Sequence, residues 1–234
     1  MKFSRYVHQT PWVIDGEKRS KNSVQEIINQ HFSTDILCDE TKFTASGRED
    51  ADVRMLGNGR PFALQFLNPR RKLDLNLNDY VSKINFANQD VRVDRLKVVS
   101  QKDFDVLNKS EDSKIKNYVA LCYSCHGKFG SEFKLPEMKF LSKIEFPLEI
   151  TQKTPIRVLH RRPLIDRKRK IYRMDIFPVD DVHFQLRIAT EAGTYIKEFV
   201  HGDFGRTRPS LGDLLGYKVD ILELDVEKVD FDWP

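Results

Sequence analysis

Ser46-Gly47-Arg48-Glu49-Asp50-Ala51-Asp52-Val53-Arg54-Met55-Leu56-Gly57-Asn58-Gly59-Arg60-Pro61-Phe62 decides how this chain is read. It places three acids, three arginines and three glycines between two runs that read as strands, Lys42–Ala45 and Phe62–Leu67. Arginine presents a planar fork suited to phosphates and base edges. A carboxylate held among arginines stays ionised near neutral pH and is available as a nucleophile. The same composition suits a polar connecting loop whose charges face water, because surface charge is the default. Composition alone leaves both readings open.

The chain has 234 residues, enough for one large domain or two small ones. Hydrophobic residues make up 40% and charged residues 32%, a globular composition with a busy surface. The net charge of +4 is mild, so its distribution matters more than its total. No run approaches the roughly 18 apolar residues of a membrane helix. Met1-Lys2-Phe3-Ser4-Arg5-Tyr6 lacks the apolar core of a signal peptide. Cys38, Cys122 and Cys125 make no disulfide framework, which points to a reducing, intracellular compartment, nucleus or cytoplasm.

Outward from the central stretch, Asp15-Gly16 marks a turn and Ser23–Phe32 a helix. Ser23 caps it, Glu26 completes a capping box, and Val24, Ile27, Ile28 and His31 recur at helical spacing. Phe62–Leu67 reads as a buried strand ended by Asn68-Pro69. Arg70, Arg71 and Lys72 follow, then Leu73, Leu75 and Leu77 in alternation, and a helix over Asp79–Ala87. Val91–Val99 alternates at period two and predicts a strand. Gln101–Lys116 predicts a helix with a mobile loop.

Lys116-Asn117-Tyr118-Val119-Ala120-Leu121-Cys122 predicts a further strand, on which Tyr118 reads as a half-buried tyrosine. Cys122-Tyr123-Ser124-Cys125-His126 matches the haem-attachment pattern and half of a zinc site. Haem attachment calls for export and zinc for a second ligand pair, and the sequence supplies neither, so no metal is expected. Glycine, proline and charge predict a loop over Lys128–Phe140, with a strand-like link over Lys139–Ile150. The most basic stretch contains Lys153, Arg157, His160, Arg161, Arg162, Arg167, Lys168, Arg169, Lys170 and Arg173. Val158, Leu159, Leu164, Ile165 and Ile171 interleave with it, which predicts strands with one basic edge. Such an edge suits a phosphate backbone, and it equally suits a solvated face. His183–Ala189 and Asp220–Val226 alternate as strands.

Gly47-Arg48-Glu49-Asp50 resembles the Gly-Arg-Thr-Asp and Arg-Leu-Asp signatures of pseudouridine synthases. The whole stretch is similar to the catalytic loop of the Pus10 family, archaeal and eukaryotic tRNA pseudouridine synthases that act on T-loop uridines. The resemblance extends to Gln9-Thr10-Pro11-Trp12, to Lys116–Leu121, to Thr154–Leu164, to Ala192-Gly193-Thr194-Tyr195-Ile196-Lys197, to His201–Leu215 and to the ending Asp230–Pro234. It implies Asp50 as nucleophile, with Asp52 as the close competitor, and Arg48 beside it at the substrate. It implies that Tyr118 and Tyr195 stack on a flipped uridine. Lys197 would pair with Asp50, directly or through one water, and keep it ionised, and Leu215 would wall the pocket. Arg161, Arg162, Lys168, Arg169 and Arg206 would contact the RNA backbone, with Arg208 able to add to them. The implied fold class is α+β, the pseudouridine synthase fold: a mixed, mostly antiparallel sheet with flanking helices and a central catalytic cleft. Residues 1–234 would form one catalytic domain, with the family's N-terminal THUMP-type RNA-binding domain absent from this chain. The implied partner is tRNA, acted on by a monomer with no membrane and no cofactor. A non-catalytic RNA-binding or scaffolding protein of the same fold is the alternative.

Overall fold

A computed structural model of the chain describes residues 1–70, 75–109, 115–125, 143–231 and 233. Arg71, Lys72, Leu73, the loop over Lys128–Phe140, the start of the expected link after it and His126 lie outside the described residues. The chain divides into two compact units, Met1–Glu111 with Glu227–Pro234, and Asp112–Val226.

Unit 1 begins with β1 (Lys2–Phe3), a small hairpin β2 (Val13–Ile14) and β3 (Glu17–Lys18), and helix α1 (Val24–Asn29). The capping box is present as the sequence predicts: Ser23 Oγ accepts the Glu26 N–H and Glu26 accepts the Ser23 N–H. Burial pushes the Glu26 carboxyl up, and the bonds from Lys18 and Ser23 outweigh it, so its pKa ends below the usual value. β4 (Glu40–Ala45), β5 (Val53–Met55) and β6 (Phe62–Leu67) follow, then α2 (Leu77–Ala87), β7 (Val91–Arg92) and α3 (Gln101–Lys109).

β4 pairs with β6 in an antiparallel ladder of two strands, from Glu40 against Leu67 to Ala45 against Phe62. The expectation that Phe62–Leu67 is a buried strand is corrected: only Ala63 is buried, because a two-stranded ladder leaves part of each strand exposed. β5 lies inside the central stretch, where no strand was expected. Its Val53 and Met55 face inward, and Met55 pairs with Phe3 of β1, which pairs in turn with Val91 of β7. The expected strand over Val91–Val99 stops at Arg92. The Asn85 amide takes both the N–H and the C=O of Val93, Arg95 has φ +50° in the left-handed region, and Val98 faces water. Period-two alternation on its own does not supply a ladder partner.

Unit 2 contains β8 (Ile115–Ser124), β9 (Leu148–Lys153), β10 (Asp166–Pro178), β11 (His183–Glu191), α4 (Ile196–His201), β12 (Thr207–Arg208), α5 (Leu211–Leu215) and β13 (Val219–Asp230), the last counted with unit 1 from Glu227 onward. Its strands lie in the order β12-β9-β10-β11-β8-β13, and the β12–β9, β9–β10, β10–β11 and β11–β8 pairs are antiparallel. Met174, Ile188 and Tyr118 sit across one another on three adjacent strands, and Ile176, Leu186 and Ala120 form the next such row; all six are buried. The architecture is α+β and mostly antiparallel, as expected.

The basic stretch is not all strand. Ile156–Val158 is a 3₁₀ turn, residues 159–165 are irregular, and only Arg167, Lys168, Arg169, Lys170 and Arg173 lie on β10. Pro155 and Pro163 have no N–H for a ladder. Thr154 Oγ closes the bend by donating to the Pro163 carbonyl and accepting the Ile165 N–H.

Gly57 has φ +54°, and a Cβ there would lie 1.9 Å from the Glu227 carbonyl oxygen. Gly16, at φ +79°, has nothing within 4 Å. Gly16→Ala should lose about 1–2 kcal/mol, the left-handed penalty alone, and Gly57→Ala clearly more, measured by urea unfolding. Equal losses would refute the tight Gly57 contact.

Candidate active site

In unit 1 the central stretch leaves β4 at Ala45 and bends through Ser46–Asp50 into β5. Asp50 is half-buried; Asp52 and Arg48 are exposed. The Asp50 carbonyl accepts the Val53 N–H, and the Ala51 carbonyl accepts the Tyr6 N–H at 2.5 Å. Two buried side chains hold the bend. Arg60, fully buried, donates Nη1 to the Ser46 carbonyl at 2.9 Å and Nη2 to the Glu49 carboxylate at 2.5 Å. Gln9, 5% exposed, donates Nε2 to the Gly47 carbonyl at 3.1 Å, and its Oε1 accepts the Glu49 N–H at 3.2 Å. Unit 1 also has a cavity of about 1020 Å³ among its lining residues Phe32, Phe62, Phe66, Arg60 and Trp233; Asp50 does not line it.

In unit 2 the Glu191–Thr194 turn leads into α4, with Tyr195 as its N-cap. Tyr195 offers no side-chain cap. Gln152, fully buried on β9, holds it instead: Oε1 accepts the Tyr195 N–H and Nε2 donates to the Tyr195 carbonyl, both at 2.9 Å. The Tyr195 ring is half-buried and the Arg157 guanidinium lies 6.0 Å from its centre. Arg157 Nε also donates to Glu198 at 2.7 Å. Glu198 is 2% exposed, so Arg157 supplies the counter-charge that a buried carboxylate requires. Lys197 is half-buried on the first turn of α4, and Leu215, half-buried, ends α5, which packs against α4. Tyr118 is buried on the inner face of β8 rather than half-buried, because ladders on either side and the row to Ile188 enclose it.

The basic residues fall into two groups. Arg161 and Arg162 stand exposed on the irregular segment. Lys168 pairs with Glu149 at 2.9 Å across β9 and β10, which raises the lysine pKa and lowers the carboxyl's, and Arg169 pairs with Glu191 at 3.5 Å. Arg206 is half-buried with a structural post: it donates twice to the Thr154 carbonyl, at 2.7 and 3.2 Å, and lies 3.6 Å from the Asp203 carboxylate. Asp203 in turn accepts the Ile156 N–H.

Cys122 is buried and its thiol is pushed well above the usual range, mainly by burial and further by Asp220, so it stays protonated. Among the described residues no His, Cys, Asp and Glu side chains gather into a metal-holding group, and no helix is long and apolar enough to cross a membrane.

A family model described as Pus10, C-terminal, matches residues 1–230. The chain belongs to the Pus10 C-terminal family. It is 46% identical to the Homo sapiens tRNA pseudouridine synthase Pus10 over 235 residues, covering all of this chain and 43% of that protein. It is 42% identical to the Methanocaldococcus jannaschii protein of the same name, covering 91% of this chain and 45% of the relative. The chain therefore spans about half the length of the curated Pus10 relatives it matches. A solved Cbf5-Nop10-Gar1 complex aligns at a TM-score of 0.49 and 22% identity, over 88% of this chain and 43% of that one.

Gln9, Arg60, Gln152, Arg157 and Glu198 hold the segments that carry Asp50, Tyr195 and Lys197, a role that neither pattern nor resemblance assigns to them. The Arg157–Glu198 pair gives a direct test. Arg157→Met leaves a buried carboxylate without its cation and should cost about 3 kcal/mol in urea unfolding, while Arg157→Met with Glu198→Met should recover most of the loss. Equal losses in the single and double variants would refute the unpaired Glu198 carboxylate as the source of the loss.

Proposed function

We propose that this chain isomerises uridine to pseudouridine in the T loop of tRNA, with Asp50 as nucleophile. The match to the Pus10 C-terminal family across residues 1–230 is the observation that carries the proposal, with relatives in animals and archaea named tRNA pseudouridine synthase. The half-buried position of Asp50, against the exposure of Asp52, supports the choice between the two carboxylates.

The reaction breaks the bond between the ribose carbon and the ring nitrogen and forms one from the same carbon to C5. The C5 proton leaves and the freed nitrogen gains one. No redox partner is required. Asp50 adds covalently to the nucleotide, the base detaches, turns and rejoins through carbon. The target must first leave its stack, at a cost of a few kcal/mol. Stacking on Tyr195, whose ring is half-buried, offsets much of it, at about 1–3 kcal/mol per base, while Tyr118, enclosed in the sheet, lies behind the stacking face. Lys197 supplies positive charge that favours the ionised carboxylate. Leu215 walls the base, and Arg48 contacts the nucleotide. Arg161 and Arg162 contact phosphates. Lys168 and Arg169 contribute less, because Glu149 and Glu191 already neutralise part of their charge.

Asp50→Asn keeps the shape of the side chain and removes the nucleophile. It should bind tRNA transcripts within a few-fold of wild type and form no detectable pseudouridine, while Asp52→Asn stays active. Residual activity in Asp50→Asn, or equal loss in Asp52→Asn, would overturn the assignment.

A further inference from the structure

We propose that Gln9 is a positioning residue for Asp50, acting through the backbone of the Ser46–Asp50 bend; this rests on the reading of Asp50 as the nucleophile. Gln9 lies 38 residues before Gly47 and 40 before Glu49 in sequence, yet its amide spans the bend between them. The bridge needs one acceptor for the Glu49 N–H and one donor for the Gly47 carbonyl. A side-chain amide carries both, on separate atoms, at the end of one short stem. Glutamate supplies the acceptor alone, and alanine neither.

The grip is itself held. The Gln9 carbonyl accepts the Gln25 N–H at 3.0 Å, and the His8 carbonyl accepts the Val24 N–H at 2.8 Å. Gln9 is thus fixed by the first turn of α1, whose start is set by the Ser23–Glu26 capping box. Arg60 also takes the Ser46 carbonyl and the Glu49 carboxylate. The Arg60 N–H in turn donates to the Met1 carbonyl at 2.6 Å.

Residues 46, 47 and 49 are therefore held by two buried side chains, and the next residue is Asp50. Fixing the three peptides that lead into Glu49 narrows where the Asp50 Cα and its Cα–Cβ bond lie, and so the region its carboxylate can reach. A shift of about 1 Å at a reacting group costs on the order of 10²-fold in rate. The bonds from Gln9 go to the backbone of the bend, so it acts on turnover through geometry.

The test uses Gln9→Ala and Gln9→Glu in the full chain, with unmodified tRNA transcript as substrate. Amide hydrogen exchange at Glu49 should quicken about tenfold in Gln9→Ala, the loss of one hydrogen bond, with core strands unchanged. kcat should fall on the order of 10²-fold while KM for the transcript stays within a few-fold. In Gln9→Glu the ratio of its kcat to that of wild type should rise as pH falls toward the carboxyl range, about 4 to 5. Protonation restores a donor for the Gly47 carbonyl. A merely structural role would lower the active fraction with no pH dependence in that ratio. Unchanged exchange at Glu49 overturns the grip. Quickened exchange with full activity, or a flat Gln9→Glu ratio, overturns the positioning role alone. A wild-type chain that forms no pseudouridine, with Glu49 exchange still slowed by Gln9, overturns the catalytic reading and the positioning role with it.

Discussion

A segment that leaves a ladder must find partners elsewhere for its N–H and C=O groups. In each unit a buried glutamine supplies them where the expected chemistry lies. Gln152 takes both backbone groups of Tyr195, and Gln9 takes Gly47 and Glu49. The two amides do the same work from different supports. Gln152 stands on β9, a strand in the interior of its sheet, while Gln9 precedes α1 and relies on that helix's first turn. Loss of either amide would leave orphaned backbone groups at Tyr195 or in the bend before Asp50, at about 1–3 kcal/mol for each buried group.

Charge is handled in the same economical way. Arg60 and Arg157 are each placed against a carboxylate, Glu49 and Glu198, and each also reaches a second group: the Ser46 carbonyl for Arg60, the Tyr195 ring for Arg157. Arg206 closes the bend at Thr154 rather than extending the basic surface. The net charge of +4 is therefore a poor guide to the surface open to a polyanion, because several cations are already engaged. Arg161 and Arg162, exposed between two prolines, present their charge on a segment that bends away from the ladder.

The sequence carried much of this in local signals. The α1 capping box needs only Ser23 and Glu26, and the alternation of β8 and β11 follows from residues two apart. Those features appear where they were expected. Val91–Val99 alternates just as well, yet becomes strand only at its first two residues, because pairing depends on a partner that the segment does not encode. The prolines that interrupt the basic stretch were visible, and their consequence for pairing outweighed its interleaved apolar residues. The roles of Asp50, Tyr195 and Lys197 came from motif resemblance, not from pattern. Gln152 was silent, and Gln9 showed only as the first residue of a family-like segment: a glutamine gives no sign in sequence that both ends of its amide will be taken by backbone more than 35 residues away.

If the bend carrying Asp50 performs uridine isomerisation, the wild-type chain given unmodified tRNA transcript tritiated at C5 of uridine releases tritium to solvent, matched by pseudouridine at a T-loop position. A folded chain that binds the transcript and releases no tritium would contradict it and favour the scaffolding alternative.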